Sequence, residues 1–127
     1  MTENEIAKTV VDACFQIHTR LGPGLLETVY EKVLAYELRQ RGFQVSTQVS
    51  IPIVYDNLKF DEGFRGDLVV NNKVLLELKS IEHITAIHHK QLLTYLRLTD
   101  MKLGLLINFG SALMKDGITR IVNGLED

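Results

Sequence analysis

The seven residues 74–80, VLLELKS, constrain the fold of this chain more than any other stretch. Their apolar positions suit a strand in the middle of a sheet, yet two of the seven carry charge. An ionised carboxylate or ammonium is expensive to bury unless it is paired or bound to a cation. In a strand, residues i and i+2 share a face, so Glu77 and Lys79 project together while Leu76 and Leu78 face the opposite layer. The pair forms one polar spot on one side of an otherwise apolar strand.

The sequence around this strand alternates between two periods. Ile6, Val10, Cys14, Ile17 and Leu21 recur at helical spacing up to Gly22-Pro23, a stop signal. A second helix is expected from Gly24 to near Gly42, with Leu26, Tyr30, Val33, Leu34 and Leu38 on its apolar arc. The period then drops to two. FQVSTQVSIPIVY reads as a strand with one wet face, and Pro52 places it near an edge or a bulge. After the turn signal Asp56-Asn57, LKF, FRGDLVV and VLLELKS read as further strands. ITAIHHKQLLTYLRLTD returns to helical spacing through Ile87, Gln91, Thr94 and Leu98, with Leu92, Tyr95 and Leu96 beside them. KLGLLINFG and ITRIVN close the chain as strands. The order ααβββαββ predicts an α/β fold, a mixed central sheet flanked by helices, in one domain spanning residues 1–127.

The turn at Asn71-Asn72 decides whether Asp67 can join Glu77. A strict two-residue turn pairs Asp67 with Leu76 and puts it on the wrong face, whereas one extra residue or a bulge brings it to the face of Glu77. Asparagine tolerates the left-handed conformation that the longer turn requires, so the longer turn is expected.

At 127 residues, with 46% hydrophobic and 24% charged residues, the composition is that of a soluble globular protein. No stretch approaches the ~20 apolar residues of a membrane span, and the amino terminus does not resemble a signal peptide. A cytoplasmic location without a membrane partner is therefore the expectation. The single cysteine argues against an internal disulfide, a zinc ribbon or an iron-sulfur cluster. A net charge of -2 removes the simplest case for a nucleic-acid protein, a globally basic surface, but a local patch suffices for phosphate contacts. Residues 79–102 hold a local excess of Lys, Arg and His, in which Lys90 and Arg97 are candidates for backbone contacts. His88 and His89 point about 100° apart on a helix and do not readily share one metal ion.

Two adjacent carboxylates repel unless a proton or a cation lies between them, and hard oxygen ligands suit Mg²⁺ or Mn²⁺. A neighbouring lysine can orient water or balance charge on a phosphate, which together is the machinery of metal-assisted phosphodiester hydrolysis. On its own, an E-x-K triplet is more commonly an ion pair on a half-exposed strand. Two further features shift that balance. Glu27 falls inside the apolar arc of the second helix, as a third acid. Gln91 and Tyr95, one helical turn apart, are placed to look down on the end of the E-x-K strand.

GLLETVY at 24–30 fits the G-x-x-E-x-x-Y signature of the GxxExxY protein family, and the rest of the chain resembles a PD-(D/E)XK nuclease core. The matching positions are Gly24, Glu27 and Tyr30, then Asp67 in FRGD, Glu77 and Lys79 in ELK, and Gln91 with Tyr95 in QLLTY. The resemblance implies a restriction-endonuclease-like αβββαβ core with an extra N-terminal helix and C-terminal strand. It implies that Asp67 and Glu77 bind Mg²⁺ (or Mn²⁺) with help from the Leu78 carbonyl, and that Glu27 completes the acidic cluster. Lys79 would position the attacking water, Gln91 would orient a phosphate, water or Lys79, and Tyr30 and Tyr95 would support the site. Gly66 stands where the superfamily's name has proline. The implied function is a metal-dependent nuclease acting on DNA or RNA, and the alternative is a nucleic-acid-binding or partner-binding module that keeps the fold without turnover. One site cuts one strand per encounter, so double-strand cleavage would need two copies, as a homodimer would supply.

Overall fold

In the computed structural model, which describes residues 1–126, the chain opens on a capped helix. The Thr2 hydroxyl accepts from the Glu5 N–H and the Glu5 carboxylate accepts from the Thr2 N–H, so α1 (Glu3–Leu21) starts on a capping box. It stops where the sequence says it should, at Gly22, whose φ of 72° favours glycine. The second helix starts later than expected. Gly24 has φ 99° and Leu26 is the N-cap, so α2 covers Glu27–Gln40. Leu26 consequently leaves the apolar arc and is 74% exposed, while Tyr30, Leu34 and Leu38 are fully buried.

β1 (Val45–Tyr55) and β2 (Leu58–Val70) form a long hairpin, with LKF and FRGDLVV merged into one strand. The register slips next to Pro52: Ile51 faces Phe64 but Ile53 faces Phe60. Pro52 thus lies both on an edge strand and at a bulge, where its missing N–H costs no central ladder bond. Gly63 allows the bulge, because a Cβ there would lie 1.8 Å from Ile53 Cγ1. β3 (Val74–Lys79), α3 (Ala86–Thr99), β4 (Leu103–Asn108), a 3-10 turn (Met114–Asp116) and β5 (Ile118–Val122) complete the chain.

The sheet order is β1-β2-β3-β4-β5, with β3 and β4 parallel and every other pair antiparallel. The fold is α/β with a mixed sheet, in the ααβββαββ order read from the sequence. Helices α1 and α2 cover one face through Ile6, Val10, Tyr30, Leu34, Leu68, Leu76 and Leu78. The α3 crossover covers the other face through Val69, Leu75, Leu92, Leu96 and Leu106. On α3 the buried stripe is rotated from the expected one. Leu92, Tyr95 and Leu96 concentrate more apolar surface on one stripe than the Ile87-Gln91-Leu98 side, so Ile87 and Leu98 remain in solvent. Among the described residues no helix is long and apolar enough to cross a membrane.

Candidate active site

The β2–β3 turn places the acids. Asn71 and Asn72 both take left-handed φ, 51° and 56°, and Lys73 is the third turn residue, closing Val70 against Val74. The Asn71 side chain accepts from the Gln44 N–H and its own N–H donates to the Gln44 carbonyl, which pins the turn to the start of β1. Leu68 then faces Leu76, and the next position of this register sets Asp67 against Glu77. The turn is the longer of the two geometries and makes the acids neighbours.

At this point the backbone ladder gives way to side chains. The Asp67 N–H donates to Glu77 Oε1 at 3.2 Å, and the Leu78 N–H donates to Asp67 Oδ2 at 2.8 Å. The cause lies in the hairpin, which changes sides here. Leu68 packs among the α1/α2 core, whereas a Cβ on Gly66, two residues earlier, would meet Leu75 Cδ1 on the α3 side. Val45 and Val49 differ in the same way on β1, across Gln48, whose φ is 48°. β2 therefore peels away from β3 at Asp67, and the two carboxylates fill the gap. N–H and C=O of a strand residue leave on the same side, so the Leu78 carbonyl faces this gap too.

Glu77 is only 8% exposed. Burial, and then the negative charge of Asp67, push its carboxyl up to about 8; the Asp67 N–H bond and the Lys79 charge pull the other way without winning. Gly66 lets the strand pass close to β3 here, since a Cβ there would come within 2.8 Å of Leu75 Cδ1. Lys79 follows on the same face, half-buried, at the end of β3. Tyr95 of α3 stacks on Phe64 with centroids 3.8 Å apart and planes 3° from parallel. Burial and the charge of Glu77 raise its phenol, and a side-chain hydrogen bond from Gln91 opposes them. Gln91 thus engages Tyr95, on the face where the acids lie.

Two expected partners are elsewhere. Glu27 is exposed in the first turn of α2, beside an open depression shared with Ser80, Ile81, Glu82 and Gly110, and is not among the groups acting on Glu77. The expectation that it occupies the apolar arc fails because the helix begins at that residue. Tyr30 is fully buried on the opposite face of the sheet, stacked on Phe109 at 4.4 Å. Its hydroxyl donates to the Gly22 carbonyl at 2.6 Å and accepts from the Leu25 N–H at 3.1 Å, so it clamps the loop between α1 and α2. Lys90 and Arg97 are exposed on α3. His88 caps α3 by accepting from the Thr85 N–H.

Two contributors carry no sequence signal. Gln48 donates to Glu31 Oε1 at 2.7 Å and reaches Asp67 Oδ1 at 3.5 Å, and Phe64 provides the wall behind Tyr95. A positive φ in a glutamine and a ring stack between β2 and α3 leave no mark in the periodicity. Among the described residues no three His, Cys, Asp or Glu side chains group closely enough to hold a metal. Two carboxylates with a carbonyl beside them form a hard-oxygen donor set, which suits a cation that keeps most of its water, as Mg²⁺ does.

A family model for the PD-(D/E)XK nuclease superfamily matches residues 4–121. No curated protein and no solved structure matches the chain. The match spans all three helices and all five strands up to Ile121, so this chain belongs to the PD-(D/E)XK nuclease superfamily and its sheet is the restriction-endonuclease-like fold.

Proposed function

We propose that this chain is a metal-dependent nuclease that hydrolyses phosphodiester bonds of DNA or RNA, with Mg²⁺ or Mn²⁺ held by Asp67, Glu77 and the Leu78 carbonyl. One observation carries this reading: Glu77 is buried against Asp67 at the point where β2 leaves β3, with a lysine two residues along. Two carboxylates so placed need a proton or a cation between them. Among the described residues no arginine supplies that charge, and the cationic group acting on Glu77 is Lys79. When bound, the cation would neutralise charge on the phosphoryl group and acidify a water.

The protein groups divide the remaining work. Lys79 orients the attacking water or offsets charge developing on the phosphate. Gln91 holds the Tyr95 phenol, and Tyr95, backed by Phe64, fixes the wall facing the acids. Lys90 and Arg97 contact phosphates of the backbone. Glu27 acts from the rim rather than as a ligand of the first ion, so Glu27→Gln lowers activity less than Glu77→Gln does.

The test is incubation of the protein with single- and double-stranded DNA and RNA in Mg²⁺, Mn²⁺ or chelator, beside Lys79→Ala. Metal-dependent cleavage that disappears in the variant supports the reading. Absence of cleavage in every condition would sink it. The separation of Glu27 from the pair favours one second reading, a nucleic-acid-binding or partner-binding module without turnover. That module binds nucleic acid in a salt-dependent way, with or without metal.

A further inference from the structure

Asp67 has a second neighbour, on the β1 side. Thr47 faces Leu68 and Val49 faces Gly66 on the hairpin, so Gln48 stands against Asp67. The Asp67 N–H is turned toward Glu77 on β3, which makes Gln48 and Asp67 a pair without ladder bonds, the kind whose side chains come closest. Gln48 holds φ at 48°, a left-handed conformation that is unfavourable for a residue with a Cβ and persists where the surroundings over-determine it. Here the surroundings are two carboxylates. Gln48 Nε2 donates to Glu31 Oε1 of α2 at 2.7 Å and to Asp67 Oδ1 at 3.5 Å. Ionised carboxylates only accept, so the carboxamide nitrogen faces them and both of its N–H groups are used.

We propose that Gln48, anchored by Glu31, is a positioning residue that sets the plane of the Asp67 carboxylate for the divalent cation. The proposal rests on the nuclease reading of Asp67 and Glu77. The Leu78 N–H holds Asp67 Oδ2 at 2.8 Å, and one bond alone leaves the carboxylate free to swing about it. A second bond, on Oδ1, fixes the plane. Each carboxylate oxygen offers about two lone-pair sites, so both keep one for a cation or its water. Mg²⁺ demands near-ideal octahedral geometry, which is why residues that orient a ligand from behind tune affinity. A neutral amide does this without competing with the cation, as a lysine at the same place would. Glu31 lies one helical turn on from Glu27. The α2 acid that acts on Asp67 is therefore Glu31, through Gln48, while Glu27 lines the depression beside Ser80.

Calorimetric titration of Mn²⁺ into the substrate-free full chain tests this, beside Gln48→Gly, which accepts the left-handed φ and removes only the side chain. Thermal melting in chelator checks that the variant folds as the wild type does. Its Mn²⁺ dissociation constant should rise about 10-fold. The Mg²⁺ concentration for half-maximal cleavage should rise in step, with a much smaller change in the rate at saturating Mg²⁺. Glu31→Gln keeps an acceptor for Gln48 and should bind Mn²⁺ as the wild type does, whereas Glu31→Ala removes the anchor and should weaken binding less than Gln48→Gly. Unchanged or tighter Mn²⁺ binding by Gln48→Gly, with or without a lower melt, overturns the proposal and leaves the nuclease reading standing. Equal losses in Glu31→Gln and Glu31→Ala overturn it too, because the charge of Glu31 rather than its bond to Gln48 would then be at work. The binding measurement needs no turnover, so the two failures separate: a wild type that neither binds Mn²⁺ nor cleaves removes the nuclease reading, and this proposal with it.

Discussion

Each face of the sheet carries one stacked tyrosine–phenylalanine pair, and the two pairs differ in what surrounds the phenol. Tyr30 on Phe109 lies under α1 and α2, fully buried, its hydroxyl spent on two backbone groups of its own loop. Tyr95 on Phe64 lies under α3, partly open, its phenol bonded by Gln91 and facing the charge of Glu77 and Asp67. The strand between them divides in the same way: Leu76 and Leu78 face the first layer, while Glu77 and Lys79 face the second. One face is packed to hold the fold together. The other sets aside part of its packing for two carboxylates that oppose one another, so substitutions on the two faces should separate stability from activity.

The largest expected effect is on the α3 side and leaves the fold alone. Lys79→Ala and Asp67→Asn should each lower nuclease activity by at least ~10³-fold, in line with loss of a principal catalytic group. Asparagine can still accept from the Leu78 N–H, so Asp67→Asn should melt no lower than the wild type. Cleavage rates set beside thermal melts check both halves. A variant that lost activity and several degrees of stability together would erase the distinction between the faces. Leu34→Ala, on the other side, should do the reverse. Leu34 is fully buried among Tyr30, Leu38 and the sheet residues, and its removal should cost about 2–5 kcal/mol by chemical denaturation. The surviving folded fraction should cleave at the normal rate.

A pH titration probes the α3 face alone. The Glu77 carboxyl ordinarily titrates near 4.5 and is pushed up to about 8 in the folded protein, by burial first and by Asp67 second. The folded state therefore binds more protons than the unfolded one between these values, and stability falls as pH rises. The contribution is complete below pH 4.5 and is lost progressively toward pH 8, at no more than about 1.4 kcal/mol per pH unit. Denaturant midpoints of metal-free protein across that window measure it. Glu77→Gln should flatten the dependence, and added Mg²⁺ should restore wild-type stability at the alkaline end by replacing the proton with a cation. A midpoint indifferent to pH in the metal-free wild type would mean that Glu77 is already compensated.

What the sequence disclosed follows the same division. Periodicity and stop signals locate the elements and their order, because apolar spacing reports burial directly. The Asn71-Asn72 pair even indicates the turn that brings Asp67 beside Glu77, since two asparagines can both take left-handed φ. The start of α2 is misjudged because Gly24 and Leu26 extend the apolar pattern into a loop that Tyr30 holds by hydrogen bonds, which no hydropathy pattern encodes. Glu27 is misplaced as a direct result. Gln48 and Phe64 are silent for a related reason: the hairpin changes sides at a strained glutamine, and alternation cannot register a reversal that the backbone makes at one φ.

The smallest effect expected is on that loop. In Tyr30→Phe the ring and its stack on Phe109 remain, and only the hydroxyl leaves. The Gly22 carbonyl and the Leu25 N–H each lose a partner in a partly buried place. Loss of two such bonds, with water able to reach the exposed Leu25 side, should cost about 1–2 kcal/mol. The loop also joins the site at one point, because the Ser80 hydroxyl, next to Lys79, donates to the Leu25 carbonyl at 2.6 Å. Slackening the loop therefore frees both Glu27 and the end of β3, and Tyr30→Phe should lower cleavage a few-fold. Ser80→Ala should reproduce the activity loss with less of the stability loss. If Tyr30→Phe changes stability alone and Ser80→Ala changes nothing, the two faces are independent and the G-x-x-E-x-x-Y segment serves only the fold. If both reduce cleavage, Tyr30 is a positioning residue that ties the packed face to the chemical one.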